Sequence, residues 1–293
     1  TVSVWVRPAL SISFAFSIRC KSTFYFLRIQ TSRRSGKSGR PESLAFMRKN
    51  AIFTRSGRVV LPERRVRTQH GKRMELRIAV LQTDPEWAQP ARNLARAGDL
   101  VASSGADVAL LPEMFATGFC TDPAAVAEPA EGGAILGAMR RWAARCGCAV
   151  AGSVAVAAPE GFRNRMYFVE PSGRTTHYDK RHLFSPGGEA RGYLPGERRV
   201  VVRYRGVRFL LLVCYDLRFP VWSRCRGDYD AILCCASWPA SRRDVWRTLL
   251  RARAIENQCF VAGANRTGRD PVSLYSGDSV LLDCRGRALA EAG

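Results

Sequence analysis

The chain has 293 residues, 46% of them hydrophobic, and a formal net charge of +21. That length and apolar content suit one large α/β domain with an appendage. The charge suggests a nucleic-acid binder only until it is located: residues 1–73 hold 17 Lys/Arg against 2 Asp/Glu, whereas residues 74–293 hold 29 against 23.

The first 73 residues do not read as a folded domain. Their aromatic residues (Phe14, Phe16, Phe24, Tyr25, Phe26) keep no sustained helical or strand period, and Arg33 to Arg40 is a solvated basic run. The expectation is a basic, disordered extension. It is either an organelle (mitochondrial) transit segment or upstream sequence read from a misplaced start, with Met74 opening the protein; the second is favoured because 73 residues is long for a transit peptide. No stretch of about 20 apolar residues occurs, so no transmembrane helix and no membrane partner are expected.

From residue 76 strands and helices alternate. Residues 76–82 read as a strand and 87–103 as a helix with Leu94, Ala97, Leu100 and Val101 on one face. A strand at 108–111, a helix at 133–146 and a strand at 148–156 follow. Residues 166–170 and 175–178 flank Pro171-Ser172-Gly173-Arg174, and 200–204 and 207–213 flank Arg205-Gly206; both read as hairpins. A strand at 231–236, a helix at 242–257, a strand at 259–264 and a last hairpin at 280–282 and 285–288 complete the chain. Crossovers mixed with hairpins imply mixed sheets covered by helices.

Three strands end in chemically capable side chains. Val108-Ala109-Leu110-Leu111-Pro112 delivers Glu113, Tyr178-Asp179 delivers Lys180, and Phe209-Leu210-Leu211-Leu212-Val213 delivers Cys214. A carboxylate, an ammonium and a thiol at strand ends supply a nucleophile, its base and an electrophilic partner. The ten cysteines form no Cys-x-x-Cys pair, and the three histidines (His70, His177, His182) are not spaced as ligands, so no metal and no cofactor are expected. Most of the cysteines read as small buried hydrophobes in a reducing compartment, and a cytoplasmic location is expected.

Leu111-Pro112-Glu113-Met114-Phe115, Tyr178-Asp179-Lys180-Arg181-His182-Leu183-Phe184 and Cys214-Tyr215-Asp216-Leu217-Arg218-Phe219-Pro220 together resemble the carbon–nitrogen hydrolase (nitrilase) superfamily, most of all its omega-amidase branch. Gly152-Ser153, Asn164-Arg165, Ser237-Trp238-Pro239-Ala240 and Arg253 to Gln258 add to the likeness, which runs from about Met74 to the end. The resemblance implies an α/β fold, the four-layer α-β-β-α sandwich of the nitrilase type, over residues 74–293. It also implies a homodimer formed through one helical face. Family members continue past the equivalent of Gly293 with a strand and a tail that helps the dimer, so the domain is expected to lack that tail.

The resemblance assigns the chemistry as well. Cys214 is the nucleophile, Glu113 the general base, and Lys180 with the Tyr215 backbone N–H the oxyanion donors. Glu189 matches a second family glutamate that positions the lysine. The implied substrate is a small mono-amide of a 2-oxo dicarboxylic acid, such as 2-oxoglutaramate or 2-oxosuccinamate. An arginine suits the far carboxylate: Arg218 first, Arg181 second, with Phe115 and Trp238 as pocket walls. The rivals are another amidase, a carbamoyl-amine hydrolase or a nitrilase of the same superfamily, and, more remotely, a basic nucleic-acid-binding protein. No RNP-type or helix-turn-helix pattern supports the last. Gly36-Lys37-Ser38 lacks the first glycine of a phosphate loop, and no Gly-x-Ser-x-Gly occurs.

Overall fold

The computed structural model describes residues 74–292, with side chains from Leu76 onward, and upstream of them only the backbone of short β segments. Two of these segments, Leu10–Arg19 and Ser22–Thr31, pair as a hairpin whose second strand lies antiparallel to Met74–Leu81. Apart from the upstream strands, the expected disordered extension over 1–73 lies outside the described residues.

Two mixed sheets carry the domain. In the first, β1 (Met74–Leu81), β2 (Val108–Leu110) and β3 (Ala149–Ala158) are parallel neighbours. β4 (Gly161–Val169) and β5 (Thr175–Asp179) then add antiparallel. Helices α1 (Pro90–Ser104) and α2 (Ala134–Cys146) make the crossovers. The second sheet has the order β6 (Val201–Tyr204), β7 (Val207–Val213), β8 (Ala231–Ala236), β9 (Phe260–Asn265), β10 (Val280–Leu282) and β11 (Ala288–Glu291). Strands β7, β8 and β9 are parallel, and α3 (Arg243–Asn257) connects the last two.

Alternation along the strands builds the layers. Ile78, Val80, Val108 and Leu110 point to the second sheet and pack with Phe209, Leu211 and Leu233. Their neighbours Ala79, Leu81, Ala109 and Leu111 point the other way, onto Ala97, Val101, Leu136 and Met139 of the two helices. Phe168 of β4 meets Phe209 of β7 at 6.2 Å across the sheet interface. On the far side Trp246 and Leu250 of α3 close over Gly263 of β9, where a Cβ would come within 2.8 Å of a Leu250 methyl. The order is helices, sheet, sheet, helix, the four layers expected. β7 is buried on both faces, which explains its unbroken apolar run.

Helix ends follow local chemistry. Pro90 starts α1, and Gly105 and Gly147, both left-handed, end α1 and α2. Glu128 caps α2 from outside, its carboxylate accepting the Ile135 and Leu136 N–H groups at 2.7 and 3.0 Å. Three sequence expectations shift, one of them the last strand, expected at 285–288 and found at Ala288–Glu291. The helix expected from residue 87 begins at Pro90, and the strand expected at 166–170 begins at Gly161, as half of a long hairpin with β3.

Topology decides where the site forms. Parallel strands put their carboxyl ends on one edge, and a crevice outside those ends is where open α/β sheets bind ligands. β5 lies two antiparallel steps from β3, so it runs in the same direction as β1, β2 and β3. The residues after β2, β5, β7, β8 and β9 can therefore meet.

Candidate active site

Glu113 leaves β2 through Leu111-Pro112, where proline removes a ladder donor and ends strand pairing. The next residue, Met114, turns at φ +45°, and its N–H donates to Ser153 Oγ at 3.0 Å. Cys214 follows β7 at φ +48°, a left-handed conformation that costs a non-glycine residue about 1–3 kcal/mol. Buried Asp216 holds that turn. Its carboxylate accepts the Val213 N–H at 3.0 Å, the Tyr178 hydroxyl at 2.8 Å and the His182 N–H at 2.9 Å. Asp216 thereby ties the segment bearing Lys180 to the segment bearing Cys214.

The core of the site is a buried tetrad. Lys180 Nζ donates to Glu113 Oε1 and to Glu189 Oε2, each at 2.8 Å. Asn164 Nδ2 bridges the same two acids, donating to Glu113 Oε1 at 2.8 Å and Glu189 Oε1 at 2.9 Å. The Ser237 N–H, after β8, donates to Glu113 Oε2 at 2.8 Å, and the Phe184 N–H donates to Glu189 Oε2 at 2.6 Å. Both side chains of the Glu113–Lys180 pair are fully buried. A buried ion pair is retained only when its remaining hydrogen bonds are largely satisfied, and these contacts satisfy every carboxylate oxygen and two of the three lysine N–H groups.

Electrostatics follow from burial. Desolvation, helped by the Glu113 charge and opposed by Lys180, pushes the Cys214 thiol well above its ordinary pKa. Burial penalises the Lys180 ammonium, but Glu113 and Glu189 outweigh it and hold its pKa well above the usual lysine value. Burial and the Glu113 charge raise Glu189, with Lys180 opposing. The resting thiol is therefore neutral and needs a base in order to attack.

A cavity of about 300 Å³ opens over Cys214 and Ser237. Its walls are aromatic, with Phe119, Phe184, Tyr215, Trp238 and Tyr275 all lining it. Two arginines line it too. The Arg218 guanidinium lies 5.3 Å from the Trp238 ring and 5.8 Å from Tyr215, and Arg242 lies 5.0 Å from Phe184. Among the described residues no group of His, Cys, Asp and Glu is placed to hold a metal ion, and no helix is long and apolar enough to cross a membrane.

Most of the residues singled out in the sequence meet here. Glu113, Lys180 and Glu189 share the tetrad, while Cys214, Tyr215, Arg218 and Trp238 line the cavity. Two do not. Phe115 is buried against Trp142 in the helix-side core, because the turn at Met114 sends the chain back under the sheet; Phe119 takes the expected wall position. Arg181 turns to the Gly196 carbonyl at 3.0 Å and to the Trp222 ring, away from the cavity. Sequence reading gave no role to Arg242, Phe119, Asn164 or Ser237, although Asn164 and Ser237 stand in the quoted motifs. It also missed the hairpin of Thr267–Arg269 and Leu274–Ser276, whose loop lines the cavity with Asp270, Val272 and Ser273. Asp270-Pro271 in the loop and Gly268 just before it were its local turn signals.

A buried acid, an ammonium and a thiol at the strand ends of a four-layer sandwich define a carbon–nitrogen hydrolase site. The carbon-nitrogen hydrolase family model matches residues 77–293, and the chain belongs to that family. Omega-amidase YafV of Yersinia enterocolitica is 47% identical over 219 residues, covering 74% of this chain and 85% of the relative. The 2-oxoglutaramate amidase of Bacillus subtilis is 38% identical, covering 75% and 87%. A solved CN-hydrolase superfamily protein from Xanthomonas campestris, with an arsenic adduct in its active site, superposes with a TM-score of 0.70 at 41% identity, covering 74% and 86%.

Proposed function

We propose that this chain is an amidase that releases ammonia from the terminal amide of a small 2-oxo dicarboxylic acid mono-amide, 2-oxoglutaramate first. The observation that carries the reading is that Cys214 and Arg218 line one cavity of about 300 Å³, with the buried Glu113–Lys180 pair electrostatically coupled to the thiol. The names of the relatives support the substrate class.

The chemistry follows from these groups. Glu113 takes the Cys214 proton as sulfur attacks the amide carbon. The carbonyl oxygen becomes an oxyanion. Lys180 has three N–H donors, two of which go to Glu113 and Glu189, and the third meets the oxyanion together with the Tyr215 backbone N–H. Glu113 returns its proton to the amide nitrogen, the C–N bond breaks, and ammonia leaves a thioester on Cys214. Water then attacks the thioester carbon, giving its proton to Glu113. The C–S bond breaks, and the sulfur recovers that proton. Arg218, held between Tyr215 and Trp238, receives the substrate's carboxylate.

We extend the reading to a homodimer on the family resemblance, and to the cytoplasm on the reading of the cysteines as reduced, buried thiols; size-exclusion chromatography and cell fractionation test those two points. Substrate and chemistry are tested together. The protein is mixed with 2-oxoglutaramate, and ammonia release is measured beside intact mass after an acid quench. Ammonia with an acyl adduct mapped to Cys214 is expected. Preferential turnover of a nitrile, or an adduct elsewhere, overturns the reading.

A further inference from the structure

The cavity holds a second guanidinium for which the chemistry above has no use. Arg242 lies at the foot of α3, where its backbone carbonyl accepts the Trp238 indole N–H at 2.8 Å. Its guanidinium stands over Phe184, the Phe184 ring meets Tyr215 edge-on at 5.2 Å, and Tyr215 with Trp238 flanks Arg218. The contacts close a ring: Arg242, Phe184, Tyr215, Arg218, Trp238 and back to Arg242. Both cations are thus fixed on one aromatic wall of one small cavity.

Among the described residues no carboxylate oxygen lies within 4.0 Å of the Arg218 or Arg242 guanidinium. Of the two acids lining the cavity, Asp270 is committed to the Val272 and Ser273 N–H groups at 2.8 and 2.7 Å and to the Tyr275 hydroxyl at 2.5 Å. Asp122 is exposed. Behind Cys214 the buried charges are one lysine and two glutamates, so the reacting end carries no excess positive charge that would attract the substrate's carboxylate there. An anion in the cavity thus meets two guanidiniums on its lining that no carboxylate of the described residues already holds.

We propose that Arg242 is a specificity-determining residue that grips the substrate's carboxylate jointly with Arg218 and so fixes which end of the mono-amide faces Cys214. The proposal rests on the mono-amide reading above. A carboxylate offers about four lone-pair sites and accepts two forks at once. With one arginine the carboxylate is bound but free to swing. With two, its axis is set, and the amide carbon reaches the sulfur along one path.

The test measures kcat/KM for 2-oxoglutaramate and for uncharged butyramide in the wild type and in Arg242→Gln and Arg242→Lys. Each substitution keeps the backbone carbonyl that holds Trp238. Arg242→Gln is expected to lower the ratio of the two kcat/KM values by about ten- to a hundredfold, the range of one lost charge-assisted hydrogen bond, mostly through KM for 2-oxoglutaramate. Arg242→Lys is expected to recover part of that ratio. If the wild type does not prefer 2-oxoglutaramate, the substrate reading fails and takes this inference with it. If the wild type prefers it and Arg242→Gln leaves the ratio unchanged, or lowers turnover of both amides equally, the Arg242 assignment alone is overturned. Thermal unfolding of each variant separates a folding loss from a loss of discrimination.

Discussion

Glu189→Gln is the sharpest test of the buried tetrad. The side chain is nearly isosteric, but it replaces an acceptor-only carboxylate with one oxygen and one NH2 group. Glu189 accepts from three donors: Lys180 Nζ and the Phe184 N–H on Oε2, and Asn164 Nδ2 on Oε1. A glutamine satisfies only one side. With its oxygen toward Lys180 and Phe184, its NH2 faces the Asn164 NH2. With the amide flipped, Lys180 and Phe184 face a donor. Either way at least one buried donor is stranded, at about 1–3 kcal/mol, and a charge-assisted bond weakens. About 2–4 kcal/mol of stability is therefore lost, or roughly 5–15 °C in Tm for a domain of this size. Lys180 is left with one anionic partner and moves off the oxyanion position, so kcat for 2-oxoglutaramate falls by about 10²-fold with a smaller change in KM. Circular-dichroism melting and an ammonia-release assay read both effects. A variant that melts within a degree of wild type and keeps kcat within twofold would refute the tetrad as the device that holds the lysine.

Cys214→Ala should abolish amide hydrolysis and acyl-adduct formation while leaving the melting temperature near or above that of wild type, because alanine keeps the apolar turn; residual turnover would dismiss the sulfur as nucleophile. Glu113→Gln should likewise stop turnover, with the thiol still titratable by a disulfide reagent in the unfolded protein. Lys180→Ala should lower kcat by at least about 10²-fold, and an effect confined to KM would contradict an oxyanion role. Alkaline pH should unfold the domain along a defined limb. Burial first raises Tyr167 to about 12, and the two glutamates hold Lys180 high against its own desolvation. Both groups keep their protons in the folded state after the unfolded chain has released them, so their contribution is complete below about pH 10 and declines as pH rises from there. Urea midpoints should hold level between pH 9 and 10 and then fall at pH 11 and 12; a flat profile to pH 12 would be inconsistent with these shifts.

Local pattern was enough to set the strand ends. A fully buried strand such as β7 must be a continuous apolar run, and whatever follows it emerges at a sheet edge, so Glu113, Lys180 and Cys214 were legible as strand-end residues from their neighbours alone. Their convergence was not written locally. The Ser237 N–H that holds Glu113 lies 124 residues away in sequence, and Asn164 meets the same carboxylate across 51. Those contacts exist only because two sheets stack face to face with their carboxyl ends on one edge. Side-chain direction after a turn was equally out of reach of pattern. Phe115 and Phe119 are both aromatic residues just past Glu113, and the backbone reversal at Met114 sends the first into the core and leaves the second at the cavity. Arg181 and Arg242 exchange roles for the same reason: Gly196 and Trp222, brought near by packing, take the first, while the start of α3 presents the second to the cavity. Sequence by itself determined the reactive groups and the strands that carry them, because both depend on near neighbours. Which side chains surround those groups was decided by tertiary packing alone, because the partners are remote in the chain and are chosen by how the layers pack.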